Sequence, residues 1–131
     1  MEVPAELKLL AAAVVVGLVQ LLWAAAAARA QQGLDWAAGS RDEPRPVTGV
    51  AARLERAFRN FMETFPFFAA AVLAAVVAGR LGPMTLWGSV LYVVSRALYA
   101  PLYASGVRYL RSVAWTVGFA GLVMILLALL L

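Results

Sequence analysis

Cysteine and histidine are both missing from this chain of 131 residues. Without cysteine there is neither a disulfide scaffold nor a protein thiolate. Without histidine the commonest metal ligand and the commonest general base at neutral pH are gone. Any chemistry must therefore run on Arg, Tyr, Ser, Asp or Glu, or on a nucleophile that a ligand brings. Charge is also scarce: charged residues make up 14% of the chain against 64% hydrophobic, and the mean hydropathy is +0.86. A soluble domain of this size buries too small a fraction of its surface to hide so much apolar area. The alternative, an Ala- and Leu-rich soluble bundle, fits these numbers poorly. The expectation is a single all-α domain over residues 1–131, a polytopic membrane protein. The net charge of +4 comes almost wholly from arginine, with Lys8 the one lysine. No exposed basic domain remains once the apolar runs are set aside, so nucleic acid is not an expected partner, and neither is a metal.

Four apolar runs lie along the chain, from about Leu7 to Ala28, Phe61 to Ala78, Met84 to Tyr103 and Val113 to Leu131. With their flanks they predict a bundle of four transmembrane helices near 5–29, 51–79, 84–104 and 110–131. Each can cross a hydrocarbon core of roughly 30 Å. Ala28-Arg29-Ala30 offers a competing reading of the first run as a cleaved signal peptide. The acidic Glu2 and Glu6 before it and its length argue for a retained helix. Gly79-Arg80-Leu81-Gly82-Pro83 makes a tight turn between the second and third spans. The one long link, through Gly33, Gly39 and Pro44-Arg45-Pro46, reads as an ordered polar loop. Arg29, Arg41, Arg45, Arg53, Arg56 and Arg59 flank that link, and Arg108 and Arg111 flank the third. The opposite side holds only Lys8 and Arg80. The positive-inside rule then places both termini in the periplasm of a cell inner membrane and the arginine-rich end in the cytoplasm.

On the second helix Arg53, Arg56, Asn60 and Glu63 are spaced by three, four and three residues and share a face, with Arg59 beside it. Snorkelling at the headgroups explains Arg53 and Arg59. It does not explain Glu63 or Asn60, since an acid gains nothing there and is costly in hydrocarbon. Pro66 follows within the same run and predicts a kink, whose role is either structural or to open space beside Asn60 and Glu63. On the third helix Arg96, Tyr99 and Tyr103 share another face, with Tyr92 one turn earlier. A guanidinium at that depth faces protein, and its simplest partner is Glu63, directly or through a ligand carboxylate. Arg111, Ser112 and Trp115 stand where the fourth helix enters the membrane. Together these residues describe a positive cleft at the bundle rim, suited to a small partner carrying carboxylates.

The string Arg53-Leu54-Glu55-Arg56-Ala57-Phe58-Arg59-Asn60-Phe61-Met62-Glu63-Thr64-Phe65-Pro66 resembles the helix-two signature of the MAPEG family, the membrane-associated proteins in eicosanoid and glutathione metabolism. Arg96 with Tyr99 and Tyr103, then Arg111-Ser112 with Trp115, resemble the signatures of its helices three and four. The resemblance implies a homotrimer of four-helix subunits that binds glutathione between subunits at the cytoplasmic side. It implies that Arg56, Asn60 and Glu63, supported by Arg59, and Arg96, Tyr99 and Tyr103 contact glutathione, with Arg29 as a further basic contact. Arg111 matches the arginine held near the thiol and Ser112 a neighbour implicated in catalysis. The chain departs from the family at Phe58, where many relatives have histidine, and at Trp115, where some have tyrosine.

A chain of this kind is similar to the bacterial, detoxifying members. The leading expectation is a glutathione transferase, with peroxidase activity besides, acting on hydrophobic electrophiles from the bilayer, with Arg111 favouring the thiolate of bound glutathione. A non-catalytic membrane protein that binds a lipid or an anionic metabolite in the same cleft is the rival, and a purely structural membrane protein the third reading.

Overall fold

The computed structural model describes residues 2–131, and all of the regular structure in them is helical. Helix α1 spans Ala5–Gln32, the short α2 Leu34–Ala38, α3 Gly49–Val77, α4 Pro83–Ala104 and α5 Leu110–Leu130. The long helices α1, α3, α4 and α5 pack as an antiparallel bundle in chain order. Three of them, α1, α3 and α5, are long and apolar enough to cross a membrane. Their outer faces carry exposed large apolar side chains, such as Val15, Leu18 and Leu22 on α1 and Val113 and Phe119 on α5. Water would not tolerate so continuous an apolar surface, whereas lipid is its natural solvent. The chain is a multi-pass membrane protein. Helix α4 has the length of a span, but Tyr92, Ser95, Arg96 and Tyr99 dilute its apolar character. All four are buried within the bundle.

Small residues decide where the helices meet. On α1 the buried residues Ala13, Gly17, Gln20, Ala24 and Ala28 follow a helical repeat and form its inner face. Gly17 admits the ring of Phe61, since a Cβ there would lie 2.7 Å from Phe61 Cε1. The approach of α4 to α5 is closer still. A Cβ on Gly88 would meet the Gly121 carbonyl oxygen at 2.5 Å. With no water in the hydrocarbon core to supply a hydrophobic driving force, membrane helices rely on such backbone proximity and the dispersion contacts it permits. The main core joins Ala13, Phe68, Val72, Tyr92, Leu122 and Ile125. Within it the rings of Phe68 and Tyr92 stack with centroids 4.0 Å apart.

The helices are level at one end and uneven at the other. Near the start of α1 the buried Glu6 accepts a long hydrogen bond (3.5 Å) from Thr85, at the start of α4. At the far end Ala24 and Leu54 pack on Ala104, the last residue of α4. The last two turns of α1 and the first turn of α3 therefore run past the end of α4. Helix α3 continues unbroken through Pro66.

The long link is more structured than its composition suggests. The first helix runs to Gln32 instead of ending near residue 29, and the second begins two residues early, at Gly49. Two glutamines explain the extension. The Gln31 side chain donates to the Thr48 carbonyl (2.9 Å) and accepts from the Thr48 amide (2.9 Å). Gln32 donates to the Arg45 carbonyl (2.8 Å), and Arg45 Nη1 donates back to the Gln32 carbonyl (2.9 Å). Gly33, at φ +87°, turns the chain from α1 into α2, a conformation that costs glycine little. Trp36 Nε1 then donates to the Glu43 carbonyl (2.7 Å). Replacing Gln31 by alanine should free the loop and leave the bundle intact. Hydrogen exchange at the Thr48 amide is expected to rise about thirtyfold, from the loss of two bonds of roughly 1 kcal/mol each. Unchanged exchange would show that the loop is held by other means.

Candidate functional site

The site is built around Arg96. It lies on the inner face of α4, with 1% of its surface exposed. Its Nη1 donates to Asn60 Oδ1 on α3 at 2.9 Å. Its guanidinium carbon lies 4.2 Å from the centroid of the Tyr99 ring and 5.7 Å from that of Phe61. Cation–π contact of this kind offsets part of the cost of burying the charge. Its other two nitrogens, Nε and Nη2, have no hydrogen-bond partner in the chain.

The direct Arg96–Glu63 ion pair expected from the sequence does not form. Glu63 is exposed, and Asn60 takes its place beside the guanidinium. A step of three residues turns a helix about 60° short of a full circle, so two residues on one broad face need not point into the same interface. Asn60 points at α4, whereas Glu63 points out of the α3–α4 seam.

Above Arg96, towards the arginine-rich end, Tyr103 collects two further cations. Arg56 Nε donates to the Tyr103 hydroxyl at 3.1 Å. The Arg111 guanidinium lies 4.3 Å from the centroid of the same ring. Tyr99 and Tyr103 meet edge to face at 5.7 Å, which connects this upper cluster to Arg96. Arg53 Nε donates to the Ala104 carbonyl (3.0 Å) and so caps the C-terminal end of α4, where a cation is favoured. Beside the two clusters is an open cleft of about 240 Å³ lined by Asn60, Tyr99, Ser112, Trp115 and Thr116. Trp115 stacks on Phe119 (5.3 Å) and gives the cleft an apolar wall.

Most of the residues singled out in the sequence therefore converge. Asn60, Tyr99, Ser112 and Trp115 border one cleft, with Arg96 buried against Asn60 and Tyr99 and the Arg56–Tyr103–Arg111 cluster beside it. Arg29 and Arg59 do not join them within this chain. They lie on the other side of α3, in a groove of about 540 Å³ between α1 and α3 that Arg41 also lines. Arg41 reaches this groove because the loop folds back, which no local sequence pattern reports. Thr64 was also missed, although it follows Asn60 by one turn and shares its face. Its hydroxyl lies 2.9 Å from the Tyr92 hydroxyl. Among the described residues, no group of three or more Cys, His, Asp or Glu side chains is placed to hold a metal ion.

A buried guanidinium with two unused donors, beside a rim of further arginines, is chemically a receptor for a carboxylate. Fork-shaped, permanently charged guanidinium groups match planar carboxylates well. The residues present thus fit a small ligand with carboxylates, such as a peptide with free acids. Fold and site together define an all-α polytopic membrane protein with an arginine-rich polar cleft at one end. This chain belongs to the MAPEG family, whose model matches residues 9–131. Membership places it in membrane-associated lipid or glutathione metabolism. Comparison with curated proteins and with solved structures gave no match.

Proposed function

We propose that this protein is a membrane-embedded glutathione transferase, with glutathione peroxidase activity besides, acting on hydrophobic electrophiles. The observation that carries this reading is the buried Arg96 guanidinium, not fully partnered within the chain, which bonds the cleft residue Asn60 and stacks on the cleft residue Tyr99. Asn60, Arg96 and Tyr99 would hold one charged end of glutathione, with Arg56, Tyr103 and Arg111 gripping the remainder at the rim. Glutathione supplies a nucleophilic sulfur, which a chain without cysteine lacks. Arg111 puts a cation at the mouth of the cleft, where it favours a thiolate over a thiol. Ser112, one residue on, offers a hydroxyl to the same space. The apolar wall of Trp115 and Phe119 opens towards the bilayer and suits an electrophile that partitions into lipid.

The assembly that goes with this reading is a homotrimer of a single MAPEG-type domain with four spans. It would lie in a bacterial inner membrane with both termini periplasmic and the cleft facing the cytoplasm. Two features support it. The exposed side chains of α3, Glu63 with Met62, Phe67 and Leu73, form a face that a neighbouring subunit would cover. In that arrangement Arg29 and Arg59, on the opposite side of α3 from Arg96, would serve a neighbour's ligand.

The decisive experiment follows the ultraviolet absorbance of thiolate as glutathione is added to the purified protein. Wild type is expected to give a thiolate signal at neutral pH and Arg111→Ala to lose at least about tenfold of it. Equal signals in both would remove Arg111 from the mechanism. Phe58 and the Trp115 wall favour a second reading, in which the cleft binds a lipid or an anionic metabolite without turnover. Saturable glutathione binding with no conversion of chlorodinitrobenzene or cumene hydroperoxide would favour it.

A further inference from the structure

Arg96 also lines a second, much smaller space, which shares Trp115 with the open cleft. A cavity of about 10 Å³ is lined by Thr64, Tyr92, Arg96, Trp115, Phe119 and Leu122. This is near the minimum that holds one water molecule, and a water in such a place needs two to four polar partners. The lining supplies them: an unpartnered Arg96 nitrogen on one side, and the hydroxyls of Tyr92 and Thr64 on the other. The remaining walls are apolar.

The hydroxyl pair has a direction. Thr64 Oγ1 is 3.3 Å from the Phe61 carbonyl, to which it can only donate. With its proton committed there, Thr64 accepts at 2.9 Å from the Tyr92 hydroxyl. The Tyr92 oxygen then offers its lone pairs to the cavity that Arg96 adjoins. A chain results in which every donor has an acceptor: guanidinium to water, water to Tyr92, Tyr92 to Thr64, Thr64 to the Phe61 carbonyl. Its acceptors are oriented towards the cation, which has no carboxylate beside it in the chain. Tyr92 is in turn fixed by its stack on Phe68 and is 1% exposed, so its hydroxyl has little freedom to turn elsewhere.

We infer that Thr64 and Tyr92, through one water buried between them and Arg96, are positioning residues that hold the guanidinium in the orientation from which it meets its ligand. Thr64 and Tyr92 do not line the open cleft, with which the small cavity shares Trp115, so Arg96 is the charged group through which they act on it. The inference rests on the proposed glutathione reading for its functional consequence, but not for the hydrogen-bond chain itself.

Two measurements on the full-length protein in detergent or nanodiscs separate these. The first follows the Nε–H resonance of Arg96 in the ligand-free protein. Thr64→Val and Tyr92→Phe, which preserve shape and remove a hydroxyl, are expected to shift it and to speed its exchange with solvent about three- to tenfold. Thr64→Ser should restore the wild-type resonance. The second is glutathione binding and turnover. Each hydroxyl deletion should raise Kd and the KM for glutathione about three- to tenfold and leave kcat nearly unchanged. The double variant should be no worse than either single one, because both break one chain. An unaltered Arg96 resonance in both variants overturns the inference whatever the ligand. An altered resonance with unchanged glutathione affinity overturns the positioning role. A wild type that binds no glutathione overturns the functional reading, and the resonance still decides whether the chain exists.

Discussion

Arg96→Met is expected to yield a protein that melts at a higher temperature than wild type and no longer holds glutathione. The two effects have one source. Within the chain the Arg96 charge is buried with one hydrogen bond, two unpartnered nitrogens and aromatic faces for company. Taking a charge out of water costs several kcal/mol, and only excellent partners recover it. An apolar side chain of similar volume avoids that cost. Replacing buried ionic groups in this way is neutral or stabilising by about 1–4 kcal/mol. The Asn60 carbonyl oxygen released by the change lies at the open cleft, where water can reach it. Binding moves in the opposite direction, since charge-assisted hydrogen bonds are worth about 1.5–3 kcal/mol each. Losing one weakens glutathione binding by about ten- to a hundredfold. Thermal unfolding and calorimetric titration on the same preparation read both effects. A variant that is less stable and still binds would mean that Arg96 is a structural strut and not a ligand receptor.

The second large effect is expected at Gly121. Alanine is the better helix former by about 1 kcal/mol, so propensity alone predicts that Gly121→Ala stabilises α5. Packing predicts the reverse. The new methyl would collide with the Gly88 carbonyl oxygen and lie 3.0 Å from Leu91 Cβ and 3.1 Å from the Tyr92 amide nitrogen. Two of these three atoms are backbone and cannot rotate away, so α4 and α5 must separate. Overpacking of this kind costs about 1–3 kcal/mol and exceeds the gain in propensity. The damage should spread to the site. One turn earlier, Gly118 packs on Ser95 Oγ and lies near Arg96 Cδ, so a wider seam displaces the guanidinium. Ala120→Leu, on the exposed face of the same helix, is the matched control and should change the melting temperature little. Equal melting of the glycine variant and wild type would show that the seam is looser than its geometry implies.

How far the sequence discloses this molecule depends on the kind of signal. Hydropathy reveals α1, α3 and α5 because lipid-facing residues must be apolar, and a missing partner cannot disguise them. Helical spacing aligns Arg96, Tyr99 and Tyr103 correctly because all three sit on one helix and one narrow face. The pairing of Arg96 is a different matter. Asn60 and Glu63 are both within reach on the helix-two pattern, and the rotation of α3 about its own axis decides between them. That rotation is set by Phe61 fitting over Gly17 and Phe68 stacking on Tyr92, contacts between distant parts of the chain. The same limit separates Arg29 and Arg59 from the Arg96 cleft. The loop between α1 and α3 reads as polar and turn-rich, yet its order comes from Gln31 and Gln32, whose partners lie 17 and 13 residues away.

The uneven end of the bundle bears on how the protein meets its solvent. Helices α4 and α5, at 22 and 21 residues, are about 32–33 Å long, close to the hydrocarbon thickness. Helices α1 and α3, at 28 and 29 residues, are about 42–44 Å long. Since α1 and α4 begin level, the surplus stands at the arginine-rich end as a rigid parapet, closed by the glutamine-tied loop. In a thicker membrane the long pair stays covered, whereas the ends of the short pair sink below the headgroups. Tyr103 and Arg111 ride on those ends. Acyl-chain length would then set how deep Tyr103 and Arg111 lie and the dielectric around them.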